Sequence, residues 1–205
     1  GIINGTTNFI LSEMDTKGRE FADVLSEAQA KGYAEADPTF DVEGIDASHK
    51  LAILASIAFS MPLSLDGLFT DGITQLEPQD VAYARELGYV VKHLGIARQS
   101  ASGIELRVHP TLIPERSLIA GVSDVSNAIM VNADAVGTTL FYGPGAGAEP
   151  TASAVIADIV DVARVMDSYP DSWVPPLGCH SSVLQERALM AIEDVETGFY
   201  IRFSA

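Results

Sequence analysis

The sequence predicts an α+β fold, a two-layer α/β arrangement in which helices pack on one face of a mixed, largely antiparallel sheet. Segments with helical spacing of apolar residues come first, β-prone segments joined by turns follow, and one more helix comes after them. Hydrophobic residues make up 47% of the 205 residues and charged residues 20%, which is enough apolar material for a sizeable core.

The first third of the chain reads as three helices separated by polar turns. Asn8 is placed to cap the first helix, and Gly32 supplies the stop of the second. The third helix is apolar on nearly every side after Lys50, so we expect it to be buried centrally. A polar loop interrupted by Pro38 precedes it. The predicted helices span residues 9–11, about 20–31 and about 45–59, and the loop spans 33–41.

The rest of the chain alternates between helix and strand. Pro78 begins a helix that ends before Gly88, and a Pro-rich loop occupies residues 170–178. Residues 184–192 fit either a strand or a helix, and both interpretations remain open. The predicted helices are residues 78–87 and about 151–166, and the predicted strands are 89–97, 104–109, 128–131, 138–142 and 199–203.

The net charge of the chain disfavours some classes of binding partner. The formal net charge is −16, and such a surface repels nucleic acid and anionic membranes. The longest apolar stretch, residues 51–59, is too short to span a bilayer. We therefore expect a small molecule or another protein as the partner.

The chain has one cysteine, Cys179, so no internal disulfide can form, which suits a reducing cytoplasm. His180 follows it, but no further well-spaced ligands complete a metal set, so we predict no metal site.

The acidic stretch at residues 35–46 leads into the third helix. Asp46 and Lys50 are four residues apart and share one helix face. One interpretation is an exposed salt bridge of little energetic weight. The other is a functional lysine. Loss of hydration at the start of an apolar helix favours the neutral amine, whereas the carboxylate favours the ammonium, so Lys50 could give or take a proton.

The segment has a fixed pattern at Ala28, Gly32, Tyr33, Asp37, Pro38, Asp41, Val42, Gly44, Asp46 and Lys50. This pattern resembles the signature of homoserine dehydrogenases. The resemblance implies that Lys50 donates a proton to the substrate carbonyl oxygen, assisted by Asp46. It also implies that Glu35, Asp41 and Asp46 hold the substrate, partly through its amino group, and that Tyr33 lines the same pocket.

The opening residues, GIINGTTNF, contain a second motif. Taken alone, they read as a turn followed by a helix start, or as a helix N-terminus whose amides and hydroxyls bind a carboxylate. They resemble the (S/N)GT stretch of the same family, which implies that Gly5 and Thr6 contact the substrate.

A glycine-rich turn, YGPGAGAEPT, lies between a predicted strand and a predicted helix. Its spacing is not G-x-G-x-x-G, so it does not indicate a complete dinucleotide-binding unit. A tight strand-to-helix connection explains it equally well. The stretch resembles one in homoserine dehydrogenases that brings backbone close to the nicotinamide, with Gly147 the first candidate for that contact and Gly145 the second.

The resemblance implies a domain organisation. We expect residues 1–192 to form the substrate-binding, catalytic and dimerisation domain, and residues 193–205 to be a linker with the truncated first strand of an ACT-like regulatory module. The NAD- or NADP-binding Rossmann domain of the family is expected to lie outside this chain, so the fragment should be inactive alone.

The implied activity is the NAD(P)-dependent interconversion of L-aspartate 4-semialdehyde and L-homoserine in threonine, methionine and isoleucine biosynthesis, carried out by a homodimer. One alternative is a non-catalytic dimerisation or regulatory module. Another is the substrate domain of a different semialdehyde-handling dehydrogenase. The latter needs a nucleophilic cysteine, and the sequence around Cys179 shows no group that would activate it.

Overall fold

The computed structural model describes residues 1–166, 175 and 178–203, and the strands there form a three-stranded sheet and a two-stranded sheet. The strands are β1 (Phe69–Thr70), β2 (Tyr89–Ser100), β3 (Gly103–Pro114), β4 (Ser126–Ala133) and β5 (Gly137–Pro144). Strands β2 and β3 pair antiparallel, as do β4 and β5, and β1 runs parallel to β3 at the outer edge.

The first residues of the chain join the two hairpins. The Gly95 amide donates to the carbonyl oxygen of Gly1 at 2.9 Å, so this segment lies beside β2. Ile2 and Ala128 exchange backbone hydrogen bonds of 2.7 and 2.8 Å, so the same segment also lies beside β4. The positions of the next two residues, Ile3 and Asn4, are therefore set by the sheet.

The helices of the first half of the chain pack against the three-stranded sheet. Phe9 and Val24 belong to a buried cluster with Val91 of β2, and Leu51 packs with Val108 of β3. These contacts confirm the predicted fold class. The helices are α1 (Gly5–Lys17), α2 (Phe21–Ala30), α3 (Thr39–Val42), α4 (Ile45–Phe59), α5 (Pro78–Glu86) and α6 (Ala148–Val165), with 3₁₀ turns at Leu118–Gly121, Ser181–Val183 and Ile192–Asp194.

The start of α1 was predicted wrongly. Asn4, not Asn8, caps the helix, because its side-chain oxygen accepts from the amide of Thr7 at 2.9 Å. Asn8 lies inside the helix and is buried, and its amide donates to the carbonyl oxygens of Val122 and Ser126. The Asn8 side chain, which the sequence assigns to capping, therefore donates to carbonyl groups that are distant in the chain.

Helix α4 has the predicted bounds, but its predicted central burial is wrong. Ile53 and Ile57 remain 46% and 47% exposed, because α4 packs on the sheet through its other side, with Leu51 and Ala55 buried. The loop predicted before α4 contains the one-turn helix α3. This turn begins after Pro38, where the Asp37 carboxylate accepts from the amide of Thr39 at 3.1 Å.

The remaining segments also differ from expectation. All four long strands extend beyond their predicted ends, because hairpin pairing continues to each turn. The undecided segment at 184–192 is largely irregular, with a single bridge from Leu189 to Ile104. Residues 199–203 form no strand. Tyr200 and Arg202 instead bind Asp80 of α5. Most of the predicted loop at 170–178 lies outside the described residues.

Candidate active site

One buried asparagine joins the opening motif to the acidic segment. The Nδ2 atom of Asn4 donates to Oδ1 of Asp41 and to Oδ2 of Asp46, both at 2.8 Å. Asp41 lies in α3 and Asp46 in the first turn of α4, so the amide connects the N-termini of three helices. Two carboxylates that sequence analysis selected are thereby held side by side.

Lys50 completes this network. Its Nζ donates to Oδ2 of Asp46 at 2.7 Å and to the carbonyl oxygen of Ile3 at 3.1 Å. The lysine side chain is 47% exposed, so in this chain it keeps much of the hydration that it was expected to lose. An ammonium has three N–H donors, and these two bonds leave one for a ligand.

Lys50 faces a cleft of about 490 Å³ between α4 and the β4–β5 hairpin. Lys50, Ile53 and Leu54 line the helical side. The opposite side is lined by Asn127, Ala128, Ile129, Phe141, Tyr142, Gly143, Pro144 and Gly145. The fold thus brings the lysine and the glycine-rich turn, which are far apart in the chain, to two walls of one cleft.

The two candidate glycines of the turn differ in setting. Gly145 lines the cleft of Lys50, and a Cβ at this position would lie 2.6 Å from Cγ of Asn127, well inside contact distance. Gly147 lies at the N-terminus of α6 with a φ of 122°, a conformation that disfavours a side chain. Gly147 borders a separate shallow groove along α6, so Gly145 is the better placed toward Lys50.

Thr6 and Tyr33 meet beside the network. The Thr6 hydroxyl donates to the backbone carbonyl of Tyr33 at 2.6 Å, and the Tyr33 ring packs edge-on against Phe9 with centroids 5.2 Å apart. The hydroxyl therefore positions the acidic segment in this structure. Gly5 is needed for packing, because a Cβ there would lie 2.8 Å from the carbonyl oxygen of Val125.

Glu35 stands apart from the other predicted site residues. The residue is exposed, and its backbone carbonyl accepts from the side chain of Gln29 at 3.0 Å. Among the described residues, no hydrogen bond or ion pair joins its carboxylate to Asp41, Asp46 or Lys50. The structure therefore brings together three of the four charged residues that sequence analysis selected.

Comparisons with known proteins identify the family of this chain. A sequence model of the family described as homoserine dehydrogenase matches residues 1–160. The homoserine dehydrogenase of Pseudomonas aeruginosa is 62% identical over all 205 residues, which span 47% of that enzyme. The chain belongs to the homoserine dehydrogenase family. The family predicted from the acidic segment is confirmed, and the two alternative readings are disfavoured.

Structures of homoserine dehydrogenases agree with this assignment. One from Thiobacillus denitrificans is 59% identical with a TM-score of 0.90, covering 94% of this chain and 44% of that one. A hyperthermophilic archaeal homoserine dehydrogenase in complex with NADPH is 27% identical with a TM-score of 0.63, covering 80% of this chain and 46% of that one. The chain spans about half the length of these homoserine dehydrogenases.

Two residues of the site were missed in the sequence. Asn4 could have been found, because Asn followed by Gly-Thr-Thr is also a helix N-cap pattern. Asn127, the second residue of β4, gave no local signal, and only the approach of the glycine turn makes it notable.

The part of the chain that the structure describes also bears on metal binding and membrane crossing. No three His, Cys, Asp or Glu side chains there lie close enough together to hold a metal ion. None of the helices there has both the length and the apolar character that crossing a bilayer requires.

A buried histidine supports the turn that carries the carboxylates. His93 of β2 lies under Gly44, which precedes α4, and its Nε2 is 2.9 Å from the carbonyl oxygen of Asp71. Burial lowers the pKa of His93 below its ordinary value of 6.5. Burial also lowers the pKa of His109, whose Nε2 lies 2.8 Å from Nη1 of Arg107. In both residues, burial favours the neutral imidazole.

Acid should therefore destabilise the chain. Because the folded-state pKa values lie below the unfolded value of about 6.5, the unfolded state binds protons more readily in this range. The free energy of unfolding should be high above about pH 6.5 and fall as the pH drops below it. Urea denaturation at about pH 7.5 and pH 5 should show this fall, and a smaller fall for His93→Leu. His49, which is exposed, gives the control His49→Leu. Equal falls in the wild type and His93→Leu would exclude His93 as a cause.

Proposed function

We propose that this chain is the substrate-binding and catalytic part of an enzyme that interconverts L-aspartate 4-semialdehyde and L-homoserine with NAD or NADP. The observation that carries the proposal is the placement of Lys50. Its ammonium is held by Asp46 and faces a cleft whose opposite wall is the glycine turn. One wall of the cleft thus carries a proton donor, the other includes glycine backbone without a side chain, and the cleft has the size of a ligand site.

The substrate is a small zwitterion, and the network suits it. Asp41 and Asp46 offer paired negative charge to its ammonium group, and Glu35 adds a third carboxylate on the same exposed segment. Tyr33, Gly5 and Thr6 lie next to this network and would border the bound amino acid.

Lys50 would move the proton. As the aldehyde carbon accepts hydride, the carbonyl π electrons pass to oxygen, and the Lys50 ammonium stabilises that charge and donates the proton that forms the hydroxyl. Asp46 holds Nζ in place during the transfer. Because the lysine side chain is 47% exposed, solvent can return a proton to it afterwards.

The hydride comes from a nicotinamide cofactor, which supplies it when bound. The lining of the cleft suits a flat ring, since Gly145 presents backbone without a side chain and Phe141 and Tyr142 lie on the same wall. Gly147 would lie near the same end of the cofactor. The archaeal relative was determined with NADPH, which supports a nicotinamide dinucleotide here.

The domain organisation follows from the same proposal. Residues 1–192 would form the catalytic domain and residues 193–205 the start of an ACT-like module, with cofactor affinity supplied by a separate nucleotide-binding domain in the cytoplasmic enzyme. We also propose a homodimer, supported by exposed apolar side chains on β5 and α6 that no described residue covers, among them Phe141, Ile156 and Ile159.

The complete enzyme, in which this chain is joined to a nucleotide-binding domain, should reduce NAD or NADP when homoserine is added. The 205-residue chain alone should show no measurable turnover, because most of the cofactor contacts would be missing. Cofactor reduction followed by absorbance, at equal concentrations of the two proteins, makes the comparison.

Two results would contradict different parts of the proposal. Turnover by the isolated chain would contradict the proposed division of labour. A complete enzyme that leaves homoserine unoxidised would contradict the function itself.

A further inference from the structure

Asn4 uses every hydrogen-bonding atom of its amide within the site. The residue is 5% exposed. Its oxygen caps α1 by accepting from the Thr7 amide at 2.9 Å, and its nitrogen donates one hydrogen to Asp41 and the other to Asp46. The cap fixes which way the amide points, because turning it over would place oxygen against two carboxylates.

The carboxylates of Asp41 and Asp46 need such a donor. Two like charges sharing one amide repel each other unless donors or cations compensate them. Lys50 contributes to Asp46, whereas the contact that the structure gives the Asp41 carboxylate is the Asn4 amide. Removing the amide would leave the two side chains free to separate.

The position of Lys50 depends on Asp46 and on the segment that carries Asn4. Oδ2 of Asp46 accepts from both Nδ2 of Asn4 and Nζ of Lys50, and Nζ also donates to the carbonyl oxygen of Ile3, the residue before Asn4. An ordinary exposed pair four residues apart on a helix is weak and mobile. Here both members bond to a segment whose backbone is joined to β2 and β4.

We propose that Asn4 is a positioning residue for Lys50, which fixes the Asp46 carboxylate so that the third N–H of the lysine points into the cleft. This inference rests on the proposed function for its kinetic consequences. Asn4 is uncharged, and its proposed role does not require contact with the substrate.

The alternative is that Asn4 only caps α1, and the two roles rank substitutions differently. If Asn4 only caps α1, kcat should be similar with Asn, Asp or Ser at position 4 and lowest with Ala. If Asn4 positions Lys50, kcat should be lowest for Asn4→Asp, since a third carboxylate would repel Asp41 and Asp46. In that case kcat should also be higher for Asn4→Ser than for Asn4→Ala, since the serine hydroxyl can donate to one carboxylate.

In the complete enzyme, Asn4→Asp should lower kcat for homoserine oxidation by about 10- to 100-fold, with a smaller change in KM. The loss should shrink as the pH is lowered, because a protonated Asp at position 4 can donate one hydrogen bond again. Thermal unfolding of each variant checks that the cap and the fold survive. A fully active Asn4→Asp, or a kcat order that follows capping, would overturn the proposal.

A second measurement does not depend on catalysis. NMR of lysine Cε groups in the complete enzyme should show Lys50 ordered in the wild type and mobile in Asn4→Ala. Lys17, which pairs with Glu13 four residues away and is 60% exposed, is the internal control. Should the wild type leave homoserine unoxidised, the proposed function fails, but the order of Lys50 still decides the positioning role. A Lys50 signal unchanged by Asn4→Ala would refute it.

Discussion

Replacing Lys50 with alanine should lower kcat of the complete enzyme by about 10²- to 10⁴-fold, the usual contribution of a positioned proton donor. Nζ is the cationic donor that the structure brings to the cleft wall, and its remaining N–H would be the one that meets the carbonyl oxygen. The fold should survive, because the side chain is 47% exposed and makes its contacts at the surface. Steady-state kinetics of homoserine oxidation, with thermal unfolding alongside, measure both effects.

Lys17→Ala is the matched control for this substitution. Like Lys50, Lys17 pairs with a carboxylate one helical turn away, in its case that of Glu13. Lys17 lies in the last turn of α1, so its loss should leave kcat unchanged. A Lys50→Ala enzyme with near-normal turnover would remove Lys50 from the chemistry. The cleft would then need another proton donor.

Gly145→Ala should have the second-largest effect. Its Cβ would overlap the amide of Asn127, so either the turn or that side chain must move. Displacement of the cleft wall by about 1 Å would cost about 10²-fold in kcat/KM for the cofactor, because hydride transfer depends strongly on approach geometry. Kinetics with NADP and NAD as the varied substrates would report the loss.

A second substitution should relieve this steric overlap. The double variant Gly145→Ala with Asn127→Ala removes the overlapping amide and should recover part of the loss. Gly121→Ala is the control outside the cleft, because a Cβ there would also meet nothing within 4 Å. Failure of the double variant to recover any activity would show that Gly145 is needed for some reason other than Asn127.

The local features follow from the residues close to them in the chain. The spacing of Asp46 and Lys50 on a helix, the helix stop at Gly32 and the hairpin segments follow from short-range rules of periodicity and backbone freedom. The family also followed from ten positions within one short segment. Each of these features depends on residues close together in the chain.

Which of these features come together depends on the folded chain. The sheet places Asn4 between Asp41 and Asp46, and it brings Gly145 against Asn127 in the cleft that Lys50 faces. It also leaves Glu35 outside the network and one edge of α4 exposed. Such contacts depend on how helices and strands pack in three dimensions, and no local periodicity encodes that packing.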